Sequence, residues 1–497
     1  MEKPIYKASY YNLLVPHGPH TLLFNGVSSG LLRLPPQLAE PLRPFLGPER
    51  SRDAGRGRDD WSPPRFSADE LPAGIQRLFP ELLRGRFFVE DGVDEAADLR
   101  DRFQHFRQRD PFMVTITTTM DCNLACYYCY EDKEPVYLSV EGCDQILAWM
   151  REQVEAKGHE RLYVDWYGGE PMLNQAAIEH FTQGALALCA EKGMTYSAAM
   201  ISNGTLWPDD AGDFVRRNRI RHLQFTLDGP QIHHDKRRRY VLKEEREQSS
   251  FDVIAETIDR LMGATRVYLR INVDVGSAPD IMPLVDFFKE RGWLEPAAHI
   301  YPYLAMIGPM TDTCGFLGRN QRVKDFRDEF DQLNNQFQLA ISRHIDPRGI
   351  QHLQYYPMTI KMNCAAVGSN STVFGPDGYM YKCGLDVGQH HLAHGKVNLT
   401  VGQADHTFYQ PKRAPLPVLG VKPTPHPYEA YDPFTHTRCS QCQYLPICMG
   451  GCPKTHFEKN DFYLEQQSKY WEDNFDVVVR TYYESTRTRL PAEPVAA

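Results

Sequence analysis

An α/β fold built on a parallel sheet is predicted by three observations. Between about residues 111 and 344, short β-branched and aromatic runs alternate with longer amphipathic stretches, the pattern of repeated strand–helix units. The first strand of that series runs straight into a loop holding three cysteines, Cys122, Cys126 and Cys129. Six more, Cys364, Cys383, Cys439, Cys442, Cys448 and Cys452, gather in the C-terminal third, after the alternation has ended. These features divide the chain into residues 1–108, 109–345, 346–475 and a C-terminal helix end and tail, 476–497.

At 497 residues the chain exceeds one ordinary core, and two to four domains are expected. Hydrophobic residues make up 42% and charged residues 24%, as in globular proteins. The net charge is −9 and no half is strongly basic, so no nucleic-acid partner is expected. The amino terminus lacks a basic-then-apolar signal pattern, and no run reaches the length of a membrane span. A soluble cytoplasmic protein without a membrane partner is expected. Of the 12 cysteines, only Cys143, Cys189 and Cys314 stand apart from the clusters. They read as small buried hydrophobes, whereas clustering in a reducing compartment points to metal rather than disulfides.

The first 46 residues carry three β-type runs, from Tyr11, His20 and Gly30, broken by Gly-Pro and Asn-Gly turns, and then a short helix over Gln37–Phe45. Residues 47–66 are polar and Gly/Arg-rich and read as a flexible loop. Helices are expected over Ser67–Arg84 and Glu95–Arg109, around the apolar run Arg86–Glu90. Together these make a small α+β, winged-helix-like module. The alternating series then gives strands at Val114–Thr118, Leu162–Tyr167, Thr195–Ile201, His222–Leu227, Val267–Val273 and Ala298–Leu304. Their helices are Ser139–Lys157, Gln175–Lys192, Pro208–Arg217, Phe251–Met262, Ile281–Arg291 and Val323–His344.

In folds of this kind chemistry gathers at the carboxyl ends of the strands, and the distinctive motifs lie there. The first strand ends in the C-x3-C-x2-C loop, whose soft thiolates suit iron–sulfur or zinc. The second ends in Gly168-Gly169-Glu170-Pro171, where glycines admit close backbone approach and a carboxylate can accept from an ammonium. The third ends in Ser202-Asn203-Gly204-Thr205, the fourth in Thr226-Leu227-Asp228-Gly229-Pro230, and the fifth strand carries Arg270 and Asn272. Taken singly, the Asn-Gly and Asp-Gly-Pro segments are ordinary turn chemistry.

Together these motifs resemble the radical S-adenosylmethionine (SAM) superfamily, and the six units match its partial, TIM-like (β/α)6 barrel. The resemblance implies that Cys122, Cys126 and Cys129 hold a [4Fe–4S] cluster whose open iron takes SAM. It further implies Tyr128 near the adenine, the Gly168-Gly169-Glu170 segment at the amino group, and Ser202, Asn203, Thr226 and Asp228 on ribose and substrate loops. Arg270 and Asn272 would reach the carboxylate or ribose. The segment His233–Arg239 is similar to the HD-x-x-R tail of the sulfatase-maturase-like branch, although a basic run by itself reads as a solvated face.

In the C-terminal third, Cys364, Gly378 and Cys383 stand as C-x13-G-x4-C around a hairpin turn, and Cys439, Cys442, Cys448 and Cys452 as C-x2-C-x5-C-x3-C. A proline-rich spacer, 411–433, separates the groups. The pattern resembles the SPASM domain, which implies two auxiliary [4Fe–4S] clusters, one on Cys364, Cys383 and Cys452 and one on Cys439, Cys442 and Cys448. It departs from that pattern in having no cysteine after Cys452. His456, Asp461 or Glu465 is then a candidate ligand, and zinc stays open as the alternative metal.

The resemblance implies reductive SAM cleavage, hydrogen abstraction from a peptide or protein, and a flavodoxin- or ferredoxin-type electron donor. It likens residues 1–108 to a leader-peptide recognition element. In the sulfatase-maturase branch an Asp directly follows the cysteine matching Cys383. Here Gly384 and Leu385 precede Asp386, the displaced candidate for that acid. A maturase of ribosomally made peptides that installs a cross-link or related change is therefore the expected function. A sulfatase maturase is the alternative enzyme, and a non-catalytic metal scaffold that binds peptides is the alternative from another class.

Overall fold

The computed structural model describes residues 3–47, 58–108, 111–308, 317, 322, 325–345, 356–402, 404, 406–410, 426–459 and 461–488. Residues 48–57 of the polar loop, Cys314, residues 411–425 of the spacer and the tail from 490 lie outside them, as do the side chains of Asp461 and Glu465. The chain divides into two compact units, one of residues 1–107, 347–364 and 431–497, the other of 108–346 and 365–430. This division cuts through the segment 346–475 that the sequence sets apart as one piece.

In the first unit six short strands, β1 (Ile5–Ala8), β2 (Asn12–His17), β3 (His20–Asn25), β4 (Gly30–Leu34), β5 (Phe66–Ser67) and β6 (Phe88–Glu90), make two antiparallel sheets. Their orders are β5–β1–β6 and β2–β3–β4. The helix expected over Ser67–Arg84 is three short turns, because Pro72 disfavours helix in the residue before it and Leu71 is extended at ψ 144. The first turn is closed by a capping box between Ser67 and Glu70. The meander is too small to bury its own apolar face. Val15, Leu22 and Phe24 instead form one core with Tyr444 and Ile447 from the C-terminal cysteine segment and with Phe475 and Val479 from the last helix.

The second unit contains β7 (Phe112–Thr117), β8 (Tyr137–Leu138), β9 (Arg161–Tyr167), β10 (Thr195–Ile201), β11 (Ile220–Leu227), β12 (Arg266–Val273) and β13 (Ile300–Met306). It continues with β14 (Ser371–Phe374), β15 (Tyr379–Tyr381), β16 (Gly395–Lys396) and β17 (Val401–Gly402). The main sheet runs β13–β12–β11–β10–β9–β7–β14–β15–β16. Its six expected strands are all parallel. Helices Val140–Lys157, Gln175–Lys192, Ala211–Arg217, Ser250–Leu261 and Leu284–Glu290 connect them. Ser139 caps the first, its hydroxyl accepting from Gly142 N at 2.9 Å.

Period-two alternation gives every strand two distinct faces. Leu162, Val164 and Trp166 of β9, and Val267, Leu269 and Ile271 of β12, are buried. The intervening Tyr163, Asp165 and Tyr167, and Tyr268 and Arg270, occupy the other, partly accessible face. That polar and aromatic face leads to the strand ends described below.

The hairpin turn read from the sequence lies between β14 and β15, which pair antiparallel. Unforeseen is that β14 also joins β7 in parallel, Ser371 opposite Met113 and Phe374 opposite Ile116. The hairpin is secured by Lys382, which is 5% exposed. Its Nζ donates to Gly368 O at 2.9 Å and Ser371 O at 2.8 Å and pairs with Glu429. Lys382→Met, which strands Glu429 without its cation, should cost about 3–5 kcal/mol, seen as an earlier urea unfolding transition of this unit.

Candidate active site

The loop that leaves β7 is anchored before its first cysteine. Asp121 is fully buried. Its Oδ1 accepts from Cys122 N at 2.9 Å, and its Oδ2 from Tyr137 Oη at 2.8 Å and Phe408 N at 2.9 Å. Tyr409 Oη donates to Leu124 O at 3.0 Å. Ala125 N donates to Arg239 O at 2.9 Å, and Val241 N to Asn123 O at 2.9 Å. Strands, a distant C-terminal segment and the residues after the basic run therefore all hold one short loop.

Gly168 and Gly169 do something more local than admit a ligand. A Cβ on either would fall inside contact distance of a backbone oxygen, that of Thr119 for Gly168 and that of Asp121 for Gly169. Only glycine lets the end of β9 lie flush against the cysteine loop, where Gly169 N donates to Thr119 O and Glu170 N to Asp121 O, each at 2.9 Å. Gly168 also has φ +134, in the region that favours glycine.

Glu170 is fully buried. Its carboxylate accepts from Ser202 Oγ at 2.9 Å, Met172 N at 3.0 Å and Asn203 N at 2.6 Å. The group expected at an ammonium is thus engaged in tying two strand ends together. Burial pushes its carboxyl up to about 6, against the lowering effect of those hydrogen bonds. Asn203 passes the connection on, donating to Asn123 Oδ1 at 2.7 Å and approaching Cys122 Sγ at 3.7 Å.

Behind the loop lies a second buried network. Tyr128 Oη donates to Asp228 Oδ1 at 2.7 Å and accepts from Arg238 Nη1 at 3.0 Å and Asn272 Nδ2 at 3.1 Å. Arg270 Nε donates to Asn272 Oδ1 at 2.9 Å. Burial holds the Asp228 carboxyl above its usual range, opposed by Arg238 and Tyr128. Arg238 belongs to the run that reads as a solvated face, yet it is only 7% exposed. The clue to it was the HD-x-x-R spacing, not the charge density.

One cavity of about 550 Å³ collects these elements. Cys122, Cys126, Tyr128 and Cys129 line it from the loop, and Gly168, Gly169, Ser202 and Asn203 from the ends of β9 and β10. Thr226, Arg270 and Asn272 line it from β11 and β12. Glu170 and Asp228 stand behind these residues. Asp386 does not line the cavity, although Leu385 does, and it is fully buried. Lys133, Tyr167 and Tyr409 line it and were not singled out in the sequence.

The donor set fits a thiolate-bound cluster. Burial pushes the Cys122 thiol up to about 12 and the Cys126 thiol to about 11, so a metal must displace protons to bind. Two cations, the buried Arg238 and the partly buried Lys133, answer the negative charge that results. Although burial opposes it, the Lys133 ammonium is stabilised by Cys129, Glu131 and Cys122, and the Arg238 guanidinium by Cys126, Tyr128 and Asp228. No three Cys, His, Asp or Glu side chains among the described residues converge on a single-ion position. A cube asks instead for one thiolate at each of three corners, which a shared cavity wall supplies. The cavity volume is that of a small-molecule site.

Of the other cysteines, Cys364, Cys439, Cys442, Cys448 and Cys452 belong to the first unit and Cys383 to the second. None of the described cysteines is in a disulfide.

Residues 116–276 match the model of the Radical SAM superfamily, a span that holds the cysteine loop and the strand-end positions through Asn272. The chain is 29% identical over 125 residues to the serine-type anaerobic sulfatase-maturating enzyme of Bacteroides thetaiotaomicron, over 24% of this chain and 29% of that relative's length. Among solved structures it is similar to native anSMEcpe with bound AdoMet and a peptide, at 15% identity and TM-score 0.49, covering 76% of this chain and 99% of the other. It is also similar to Streptococcus suis SuiB bound to precursor peptide SuiA, at 14% identity and TM-score 0.42, covering 91% and 97%.

Gly169→Ala should cost about 1–3 kcal/mol in urea unfolding, because the obstructing atom is backbone. Glu170→Gln turns an NH2 toward a backbone N–H and should cost about 1–3 kcal/mol at pH 7. The folded carboxyl is raised to about 6 from 4.5, so its contribution to stability declines as pH rises through that interval. Titrating unfolding between those pH values should show a shallower decline in Glu170→Gln than in the parent chain, the remainder coming from other raised carboxyls such as Asp165.

Proposed function

We propose that this protein is a radical SAM enzyme that modifies a peptide substrate. The observation that carries the reading is the cavity in which Cys122, Cys126 and Cys129 meet Gly168, Gly169 and the polar strand ends. The match of residues 116–276 to the superfamily model supports it. Cys122, Cys126 and Cys129 would hold the [4Fe–4S] cluster. Cluster and SAM, when bound, supply one-electron cleavage of a sulfonium carbon–sulfur bond and a carbon radical able to take hydrogen from an unactivated C–H bond.

The protein's own residues do the rest. Lys133 and Arg238 offset the charge of the thiolates from partly buried and buried positions. Tyr128, Asp228 and Asn272 form a rigid hydrogen-bonded backing that holds one cavity shape, as positioning of a single C–H bond requires. Thr226 offers a hydroxyl, and Arg270 a cation, to the ribose and carboxylate of SAM, while Ser202, its hydroxyl spent on Glu170, Trp207 and Gly204, shapes the wall beside them. Tyr167 and Tyr409 add aromatic surface that excludes water from a reactive intermediate.

Two features support a peptide as the molecule acted on. The C-terminal cysteine arrays resemble those of SPASM enzymes, and residues 1–108 supply an antiparallel sheet that ends on strands β5 and β6, edges to which an extended peptide could add. A flavodoxin- or ferredoxin-type protein would deliver the electron. A second reading, formylglycine formation on a sulfatase, is favoured by the sulfatase-maturating relative. Against it, the residue after Cys383 is Gly384, where a Cβ would meet the Tyr167 ring at 3.3 Å, and Asp386 stays outside the cavity.

The test is anaerobic. Reconstituted with iron and sulfide and given SAM and dithionite, the chain should yield 5′-deoxyadenosine, and Cys126→Ala should yield none above background. A zinc-loaded protein that never cleaves SAM would sink the reading. With substrate added, a new linkage in a precursor peptide supports peptide maturation, and conversion of a sulfatase Ser or Cys to the aldehyde supports the second reading.

A further inference from the structure

The cysteines of the first unit have their own surroundings, and these include an imidazole. We propose that His456 supplies a nitrogen ligand completing an iron–sulfur cluster on Cys439, Cys442 and Cys448. The inference rests on the reading of the C-terminal cysteines as cluster ligands.

Cys439 opens a short 3-10 turn, and Cys442 N donates back to Cys439 O at 3.1 Å. Cys448 ends the helix Leu445–Cys448. Met449, Gly450 and Gly451 follow at φ 48, 82 and 76, three consecutive left-handed residues that turn the chain within one short step. Cys452 then caps the helix Pro453–Glu458, and His456 stands one turn beyond it, its N–H donating to Cys452 O at 3.3 Å.

The turn brings His456 onto a single phenol that also touches a cluster cysteine. Tyr431 Oη lies against Cys439, with Cys448 and Cys452 in its surroundings. The same oxygen lies 3.2 Å from His456 Nε2 and donates to Gly450 O at 2.6 Å. A Cβ on Gly450 would overlap it, so this approach exists only because position 450 is glycine. The His456 ring is fixed from two sides. It stacks on Tyr431 at 4.7 Å and 28°, and meets His436 edge-on at 5.2 Å.

The protonation pattern suits ligation. His456 Nε2 lies 2.8 Å from Gly450 O, and a carbonyl can only accept, so Nε2 carries the proton and Nδ1 the lone pair that an iron takes. This is the orientation in which a carbonyl fixes the tautomer of a ligating histidine. Tyr431, donating to that carbonyl, is a positioning residue. Three thiolates and one imidazole make a soft N/S donor set, and imidazole in place of thiolate raises a cluster's potential.

The experiment uses the full-length chain, reconstituted anaerobically with iron and sulfide, reduced without SAM, and read by pulsed EPR for nitrogen-14 coupling. A strong histidine-type coupling is expected in the parent chain and in Tyr431→Phe. It should disappear in His456→Ala and in Cys439→Ala, and persist in Cys364→Ala. His456→Cys should keep its iron, lose the coupling and shift to a lower potential, which keeps the test decisive if His456→Ala does not fold. Coupling that survives in His456→Cys overturns the proposal, as does a parent site that holds only zinc. Deoxyadenosine formation, measured in parallel, separates the two readings. A chain that cleaves SAM without this coupling refutes the ligand and leaves the enzyme standing.

Discussion

The buried carboxylate of Glu170 is the interaction on which the rest of the cavity depends. Its side chain takes donors from the end of β10, its backbone N–H reaches Asp121 at the start of the cysteine loop, and its own segment ends β9. Three strand ends are thereby held at one spacing by a residue that does not itself face the cavity. A charge-assisted hydrogen bond to a buried carboxylate contributes about 1.5–3 kcal/mol. The penalty for burying the charge, visible in its raised carboxyl, is what those three donors offset.

Electrostatics in the cavity follow from the same economy of space. Thiols buried in a protein resist ionisation, and three thiolates side by side resist it further. Lys133 and Arg238 supply fixed positive charge on the protein side, where water could not. Arg238 has two tasks at once, since it also orders Tyr128 against Asp228. Removing it would disturb both the charge and the shape of the site, so its effects would not add to those of neighbouring substitutions.

Much of this was legible in the chain because it is local. The helix Gln175–Lys192 and the strand Thr195–Ile201 fall at the residues that periodicity alone marks, and the cysteine loop and Gly168–Pro171 announce themselves by spacing. Asp121 was not legible, since a buried aspartate is recognised only by partners such as Phe408, 287 residues away. Nor was Arg238 legible from charge, since it stands in a basic run that by itself reads as a solvated face. The contact of Gly168 and Gly169 with the cysteine loop was not legible either, because sequence shows that a side chain is missing and not what would have met it. That most of the C-terminal cysteines belong to the first unit was hidden for a similar reason. Tyr444 and Ile447 complete a core begun by residues 15–24, and no local pattern encodes that partnership.

The parallel pairing of β14 with β7 has a consequence for how the chain is made. A ribosome delivers β7 through β13 in order, and each finds its neighbour soon after emerging. The outer edge of β7, by contrast, waits for Ser371–Phe374, more than half the chain's length later. Until then the nascent protein carries an open strand edge beside three unligated thiols, the kind of surface that invites mispairing between chains. Phe408 and Tyr409, which brace the same loop, arrive later still. Chaperoning and metal insertion would therefore be best timed after release, and a shortened chain that stops at the last βα unit would be a poor substitute for the whole.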